Sequence, residues 1–301
     1  MLSKTTVLSS VLLALSVNHC LAQDNDASYE EIAAVDLSFR NAGLNPSPIP
    51  SEWMDIQAVL KVSFGDVDVA NIGDTLTVAQ VQTAPTYTLS ETEEADEKDT
   101  FDSDRLFTVA FLDAGVYGRD NSNQVTRHFL QNNFTVDDDV LRPSSNVAPI
   151  TSYGAPFPTN GDGPHRYMQL VFQQYQNFTP PSSPSTGSPI QTMSITDYYR
   201  ASNGGLGKVV AANYILIEQG QATASVSSIQ PVNTQSIDSL ASSLSVQATA
   251  TGLSTTRTSS TSSPTSTRNS SGAMASLSFP SSTLSALVTV AGAALLGGML
   301  L

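Results

Sequence analysis

The chain has 301 residues, and 27 acidic against 13 basic side chains give it a formal net charge of −14 at pH 7. Because no basic stripe accompanies this acidity, nucleic acid is a poor partner on electrostatic grounds. The only cysteine, Cys20, falls in the first segment of the chain. If that segment is removed, no disulfide, thiol nucleophile or thiolate metal site can form.

Residues 1–22 have the pattern of a secretory signal peptide. Lys4 supplies a positive charge near the amino end, and an apolar run follows over residues 7–17. Small side chains then precede a predicted cleavage site ahead of Gln23. The alternative is a buried or membrane helix, but the apolar run is too short to cross a bilayer. We therefore expect an exported protein whose folded domain covers residues 23–230.

Two helices are predicted in this domain. Residues 28–31 read Ser-Tyr-Glu-Glu, which is a capping box, and apolar residues at helical spacing follow until Gly43. A second, short helix is predicted over residues 195–202, where the sequence Asn-Gly-Gly closes it.

Four segments have the pattern of β-strands. Residues 56–64 alternate between apolar and polar, which predicts a half-buried strand. Apart from Thr108, residues 106–112 are apolar on both faces and predict a central strand covered on both sides. Residues 167–173 alternate again, and a last strand is predicted over 209–217. The domain is therefore predicted to be mainly β, a sandwich of two packed sheets with short helices at its periphery.

Eight acidic residues lie between Glu91 and Asp104. Such a cluster can form a patch that binds a cation or a protein partner. A solvated loop before the central strand is the simpler interpretation, and we favour it.

The carboxyl-terminal residues have the composition of a surface tether. More than half of residues 231–271 are Ser or Thr, which predicts a disordered and O-glycosylated stalk. Residues 272–301 end in an apolar run with no basic residue after it, as in a glycolipid (GPI) anchor signal that is removed. Attachment is predicted at Ser271 or Gly272, and an ordinary tail-anchoring helix is the alternative.

Three Asn-X-Ser/Thr sequons begin at Asn133, Asn177 and Asn269. In an exported chain they are predicted N-glycosylation sites on the surface. Together with the stalk and the anchor, they predict a glycoprotein held at the plasma membrane or the cell wall.

Only two histidines, His128 and His165, follow the signal peptide, and each lies in a distinctive motif. Residues 127–130 read Arg-His-Phe-Leu. Residues 163–167 read Gly-Pro-His-Arg-Tyr, and residues 153–158 before them read Tyr-Gly-Ala-Pro-Phe-Pro. These motifs resemble the signature of the phosphatidylethanolamine-binding protein family.

The resemblance extends over roughly residues 29–218, because residues 60–65, 76–81 and 207–214 look like early and closing segments of that family. It implies the family's fold and a pocket for a phospholipid headgroup or a similar small anion. It also implies a possible protease partner, since some members inhibit proteases.

One element departs from the family pattern. Where the family usually has Asp-Pro-Asp-Ala-Pro, residues 111–115 read Phe-Leu-Asp-Ala-Gly. Asp113 keeps the second aspartate, whereas Phe111 replaces the first. A pocket wall that is polar in the family becomes partly aromatic here, and Phe111 can close the cavity.

The spacing of the second motif indicates a binding face. Gly163, His165 and Tyr167 are two apart, so an extended chain points all three the same way. His128 from another strand would complete a cradle of donors for phosphate or carboxylate oxygens. Asp113 can fix the tautomer of one imidazole and raise its pKa. With Pro156 from the resemblance, the predicted ligand-binding residues are Asp113, His128, Pro156, Gly163, His165 and Tyr167.

Three functions compete at this point. The first is a non-catalytic, cell-surface binding protein for a small anion or a phospholipid headgroup, with no cofactor. The second is an inhibitor of a protease or carboxypeptidase, or a signalling regulator, of the same fold. The third is a metal-dependent enzyme that uses His128, His165 and Asp113 as ligands. Neither an H-E-x-x-H helix nor a G-x-S-x-G elbow occurs, so we expect no enzyme.

Overall fold

A computed structural model of the chain describes residues 26–119 and 124–250. The predicted signal peptide, the sequon at Asn269 and the attachment and anchor signals after residue 250 lie outside the described residues. None of the described helices is both long and apolar enough to cross a bilayer.

The described residues contain ten strands and four α-helices. The strands are β1 (Met54–Phe64), β2 (Val67–Asp68), β3 (Thr75–Leu76), β4 (Thr86–Glu91), β5 (Leu106–Val116), β6 (Gln124–Asp137), β7 (Val140–Pro143), β8 (His165–Gln174), β9 (Gln191–Ser194) and β10 (Leu206–Ile217). The helices are α1 (Tyr29–Asn41), α2 (Glu93–Glu97), α3 (Ile195–Ala201) and α4 (Thr234–Ala250). The predicted mainly β fold with short peripheral helices is confirmed.

The strands pair continuously, with β5 between β6 and β8 and β10 next to β8. β10 also pairs in parallel with β1, which continues through β4 and β7 back to β6. Hydrogen bonds therefore run around a closed ring instead of through two separately paired sheets. Alternation within single strands could not reveal this closure, because it depends on which strands become neighbours.

The central strand β5 is covered on both sides, as its apolar sequence predicts. Phe107, Val109 and Phe111 point into a cluster inside the ring. Ala110 and Leu112 point the other way, into a second cluster that α1 and α3 cover. All five side chains are buried, so β5 positions its last residues rigidly at the edge of the core.

Helix α1 begins at the predicted capping box. The Ser28 amide donates to Glu31 Oε2 at 2.9 Å, and the Glu31 amide donates to Ser28 Oγ at 3.2 Å. Both first-turn amides are thereby satisfied. The helix ends before Gly43, whose φ of 60° is the left-handed conformation that glycine adopts most readily.

Helix α4 overturns part of the stalk prediction. Residues 234–250 were expected to be disordered, but they form a helix that packs against α1. Ala241 and Ala248 are buried along one face, with Leu244 half-buried between them. The high Ser and Thr content concealed this helical repeat of apolar residues. Residues 251–271 of the predicted stalk lie outside the described residues.

The acidic segment is mostly exposed, but it contains the short helix α2 in place of a simple loop. The Thr92 hydroxyl begins the helix by accepting from the Ala95 amide at 3.1 Å. Glu91, at the end of β4, is half-buried. Burial, and then the charge of Asp139 and other nearby carboxylates, raise the pKa of Glu91 to about 7.

Two predicted glycosylation sites fall within the described residues. Asn177 is exposed in the turn after β8. Asn133 is half-buried within β6 and has a φ of 60°. N-glycosylation at Asn133, Asn177 and Asn269 stays a prediction.

Candidate functional site

The site is built around the His165 imidazole at the first residue of β8. Its Nδ1 lies 2.9 Å from Asp113 Oδ2 and 3.2 Å from Asp113 Oδ1. Since an ionised carboxylate only accepts, Nδ1 carries the proton and donates. Asp113 is held in turn by the Gly115 amide, which donates to Oδ1 at 2.7 Å. The expected pairing of Asp113 with an imidazole is therefore present.

A second carboxylate engages the other side of the same ring. His165 Nε2 lies 3.0 Å from Asp162 Oδ2. The Arg119 guanidinium pairs with the other oxygen of Asp162 and also donates to the Asp162 main-chain carbonyl at 2.9 Å. Four groups of alternating charge thus form a chain from Arg119 through Asp162 and His165 to Asp113.

This arrangement favours the charged form of His165. Burial alone would lower its pKa, but the hydrogen bonds and charges of Asp113 and Asp162 outweigh burial and raise the pKa above its ordinary value. The hydrogen bonds from Arg119 and His165 lower the pKa of Asp162. The imidazolium is thus stabilised near neutral pH, which the sequence predicted for one of the two histidines.

His128 is held in the opposite state. The ring is 1% exposed on β6, and its Nδ1 lies 3.0 Å from the Gly154 carbonyl oxygen. Burial lowers the pKa of His128. Since the carbonyl only accepts, Nδ1 carries the proton of the neutral ring, and Nε2 is then an acceptor. His128 therefore does not supply the donor that the sequence-based cradle assigned to it.

Tyr167 is the residue that contacts both imidazoles. Its ring centroid lies 6.2 Å from that of His165 and 5.3 Å from that of His128. Burial, and then the nearby Asp113 charge, raise the pKa of the phenol, and the Phe157 main chain lies close enough to affect it. No residue within the described ranges makes a hydrogen bond of ordinary geometry with the buried hydroxyl.

Phe111 lies beneath this group and does not separate the two imidazoles. Its ring centroid is 6.0 Å from His128 and 5.7 Å from both Tyr153 and Tyr167. The side chain is fully buried in the cluster inside the ring of strands. Phe111 therefore forms an aromatic wall on the core side of the site. This is what its replacement of the family's first aspartate implied.

Phe157 covers His128 from the outside. The two ring centroids are 5.1 Å apart, yet Phe157 is 60% exposed. The adjacent Pro156 is buried. Sequence reasoning gave Phe157 no role, although an aromatic residue between two prolines in the motif was a visible signal.

Gly163 does not share the binding face predicted for it. β8 begins only at His165, and Gly163 has a φ of 102°, so the strand alternation does not reach it. A Cβ atom there would lie 3.2 Å from Val226. The glycine therefore admits the segment after β10, and no contact with a ligand is needed to explain it.

The segment after β10 fixes the loop that carries Asp162. The Gly161 amide donates to the Gln219 carbonyl at 2.8 Å, and the Thr223 amide donates to the Gly161 carbonyl at 2.9 Å. Sequence reasoning missed the roles of Asp162 and Arg119. An acid three residues before His165 was the one available signal, whereas Arg119 lies 43 positions from its partner and gave none.

A cavity of about 310 Å³ opens beside His165. It is bounded by Asp113 and His165 together with polar side chains of Gln124, Thr126 and Thr192. Neither His128 nor Tyr167 lines it. The open space therefore lies on the Asp113 side of the site, away from the aromatic wall.

Of the three residues required by the metal-enzyme alternative, Asp113 and His165 are in contact, but His128 is turned to another partner. Nδ1 of His128 faces a main-chain carbonyl, whereas both nitrogens of His165 face carboxylates. Within residues 26–119 and 124–250, no group of three or more His, Cys, Asp or Glu side chains is suited to hold a metal ion. The absence of catalysis remains a prediction.

Comparison with known proteins gives matches of sequence and of fold. The family profile described as phosphatidylethanolamine-binding protein matches residues 62–215, just over half of the chain. No curated protein sequence matches at a significant level. All six predicted ligand-binding residues, from Asp113 to Tyr167, lie within the matched range.

Several solved structures are similar to this chain. A carboxypeptidase Y inhibitor, solved in complex with its cognate proteinase, is 17% identical with a TM-score of 0.50 and is covered over 97% of its length by 64% of this chain. The phosphatidylethanolamine-binding protein of Plasmodium falciparum is 15% identical with a TM-score of 0.42, over 96% of its length and 60% of this chain. The protein from Plasmodium vivax is 14% identical with a TM-score of 0.45, over 97% and 62%. At 17% identity, the likeness to the carboxypeptidase Y inhibitor concerns the fold alone.

Proposed function

The chain belongs to the phosphatidylethanolamine-binding protein family, and on that premise we propose that it is a non-catalytic binding protein with a pocket for a small anion at His165. The ligand is a phosphate group, either free or in a phospholipid headgroup. The predicted signal peptide and lipid anchor would present this pocket at the cell surface. No cofactor takes part in binding.

One observation carries this proposal. A carboxylate, that of Asp162, already lies 3.0 Å from His165 Nε2. The imidazole is therefore oriented to donate to an oxyanion on the side away from Asp113. Arg119 supplies a second cation at the same place. A phosphate has oxygens for both donors, and charge-assisted hydrogen bonds of this kind are about twice as strong as neutral ones.

The aromatic part of the site is buried and would support the anion site without contacting the ligand. Burial lowers the pKa of His128, so its neutral ring adds no positive charge for an anion. The two imidazoles therefore have different roles in this proposal: His165 binds the anion, and His128 belongs to the aromatic wall beside it.

Titration followed by NMR tests the proposal. We expect inorganic phosphate, added to tens of millimolar, to shift the ring resonances of His165 in the full chain. A His165→Gln variant should lose the response at the remaining site residues, while an exposed Asp197→Asn variant on α3 retains it. The proposal fails if the His165 ring does not respond to phosphate or to phosphoethanolamine.

A second candidate is restraint of a carboxypeptidase. The support for it is the likeness of fold to the carboxypeptidase Y inhibitor. In this case the contact surface would lie outside the anion site, so His165→Gln should leave inhibition unchanged. Assay of a serine carboxypeptidase with the full chain distinguishes the two candidates, because a pure anion-binding protein leaves the enzyme fully active.

A further inference from the structure

We propose that the Asp162 carboxylate occupies the anion site when no ligand is bound. By competing with ligands, it restricts the site to phosphate monoesters and excludes phosphate diesters. The inference rests on the proposed function and narrows it: free phosphate and phosphate monoesters can enter the site, whereas the diester headgroup of an intact phospholipid cannot. It begins from a conflict within the site. The donor that an anion needs, His165 Nε2, is already used by a side chain of the same protein.

Asp162 occupies the position of a ligand in both chemistry and geometry. One of its oxygens accepts from His165 and the other from Arg119, as two oxygens of a phosphate would. The main-chain carbonyl of Asp162 separately accepts from Arg119 Nη2 at 2.9 Å. This second bond keeps the guanidinium in place when the carboxylate leaves. The pair of cationic donors is therefore ready for an exchange of anions.

The exchange requires movement of one side chain only. The neighbouring Gly161 is fixed through its amide and its carbonyl to Gln219 and Thr223, so the loop itself stays in place. The Asp162 side chain is 30% exposed and has solvent on one side. Rotation about its Cα–Cβ bond moves the carboxylate from His165 into water.

Charge decides which ligand can replace Asp162. A phosphate diester carries one negative charge, the same as the carboxylate it would displace, and it must also overcome a competitor that is tethered at the site. A tethered group acts at an effective concentration of about millimolar or higher. A phosphate monoester carries nearly two negative charges at neutral pH. Its attraction to Arg119 and His165 is correspondingly stronger, and only this class gains by the exchange.

Two ligands that differ in one ester bond test the inference. The full chain is titrated with phosphoethanolamine, a monoester, and with glycerophosphoethanolamine, a diester, while the His165 ring resonances are followed by NMR. We expect the monoester to bind at least about tenfold more tightly in the wild type. In an Asp162→Asn variant the diester should gain about tenfold and the preference should nearly vanish.

Controls separate this inference from the proposed function. Asp197→Asn removes an exposed carboxylate on α3 and should preserve the monoester preference. Arg119→Gln should weaken the monoester more than the diester. Equal affinities for both ligands in the wild type, unchanged in Asp162→Asn, would overturn the inference and leave the anion site standing. Failure of both ligands to bind either protein would overturn the proposed function as well.

Discussion

His165 Nδ1 and Asp113 Oδ2 lie 2.9 Å apart at the ends of two strands that pair in the middle of the sheet. Each residue is therefore positioned by main-chain hydrogen bonds, and their contact does not depend on a flexible loop. The ion pair defines the side of the imidazole that stays inside the protein. The opposite nitrogen is the one available for exchange between Asp162 and a ligand.

Replacement of Asp113 by Asn should make His165 easier to deprotonate. The hydrogen bond and charge of Asp113 raise the pKa of His165, so their loss should lower that pKa. An NMR titration of the His165 ring between pH 5 and 9 measures the change. Asp197→Asn is the matched control, and an unaltered titration curve in Asp113→Asn would contradict this account.

Glu91 should make the protein less stable as the pH rises. Its pKa in the folded state, about 7, lies above its ordinary value of 4.5. Between these values the unfolded chain has released the proton that the folded chain retains, so the free energy of unfolding falls as pH increases. Because Glu91 is half-buried, solvent screening limits the effect to about 1 kcal/mol.

Urea unfolding at pH 4.5 and pH 8 measures this contribution. In Glu91→Gln the decrease between the two pH values should be smaller than in the wild type by that amount. Glu93→Gln, at an exposed position of α2, serves as the control. An equal decrease in all three proteins would argue against a perturbed Glu91.

Arg166 should be essential for stability and not for recognition of the anion. Its guanidinium is buried and donates to the main-chain carbonyls of Ala42 and Ala114 at 2.7 Å and of Gly115 at 3.0 Å. A lysine cannot reproduce this fork of donors, so Arg166→Lys should cost about 3 kcal/mol of unfolding free energy.

Chemical denaturation provides that measurement, with the exposed Arg200→Lys as a control expected to change little. Anion affinity of the Arg166→Lys protein, measured well below its unfolding transition, should stay within about twofold of the wild type. A strong loss of affinity in a folded Arg166→Lys protein would show that the guanidinium takes part in binding.

Phe111 should be a structural wall of the site. Phe111→Ala removes a fully buried ring that contacts His128, Tyr153 and Tyr167, and should cost about 3–5 kcal/mol. Phe111→Leu keeps more of the volume and should cost less than half as much. Thermal and urea unfolding give both values. Equal stabilities of the two variants would mean that the ring is not closely packed.

The packing of α4 can be tested with adjacent residues. Ala241 is 3% exposed, so Ala241→Asp would bury a charge and should destabilise the protein by about 2 kcal/mol. Ser242 next to it is exposed, and Ser242→Asp should have little effect. If both substitutions are neutral in urea unfolding, the disordered stalk expected from composition begins at residue 231 after all.

The elements that the sequence predicted well are those set by local patterns. The capping box at Ser28 and Glu31 depends on residues three apart, and the two covered faces of β5 follow from a continuous apolar run. A pairing of Asp113 with one of the two imidazoles was also expected, although the sequence did not indicate which one. In each case the signal lies within a few positions or within a known motif.

The features that escaped prediction depend on contacts between distant segments. Asp162 contacts His165 from a loop that hydrogen bonds to Gln219 and Thr223 hold in place. No sequence pattern near residue 162 predicts these hydrogen bonds. The roles of the two histidines were not separable either. Their different pKa directions follow from the carboxylates beside His165 and the burial of His128, which are properties of the folded chain.

The parallel pairing of β1 with β10 has a consequence for how the protein is made. Met54 pairs with Val209 and Val59 with Ala212, so the two strands that close the ring are separated by most of the domain. The ribosome synthesises the chain from its amino end, so β1 emerges first. It cannot pair with β10 until that strand has also emerged. Contacts this distant in sequence form slowly and leave strand edges exposed to other chains. The edge of β1 that pairs with β10 is therefore open to other chains until most of the domain has been synthesised.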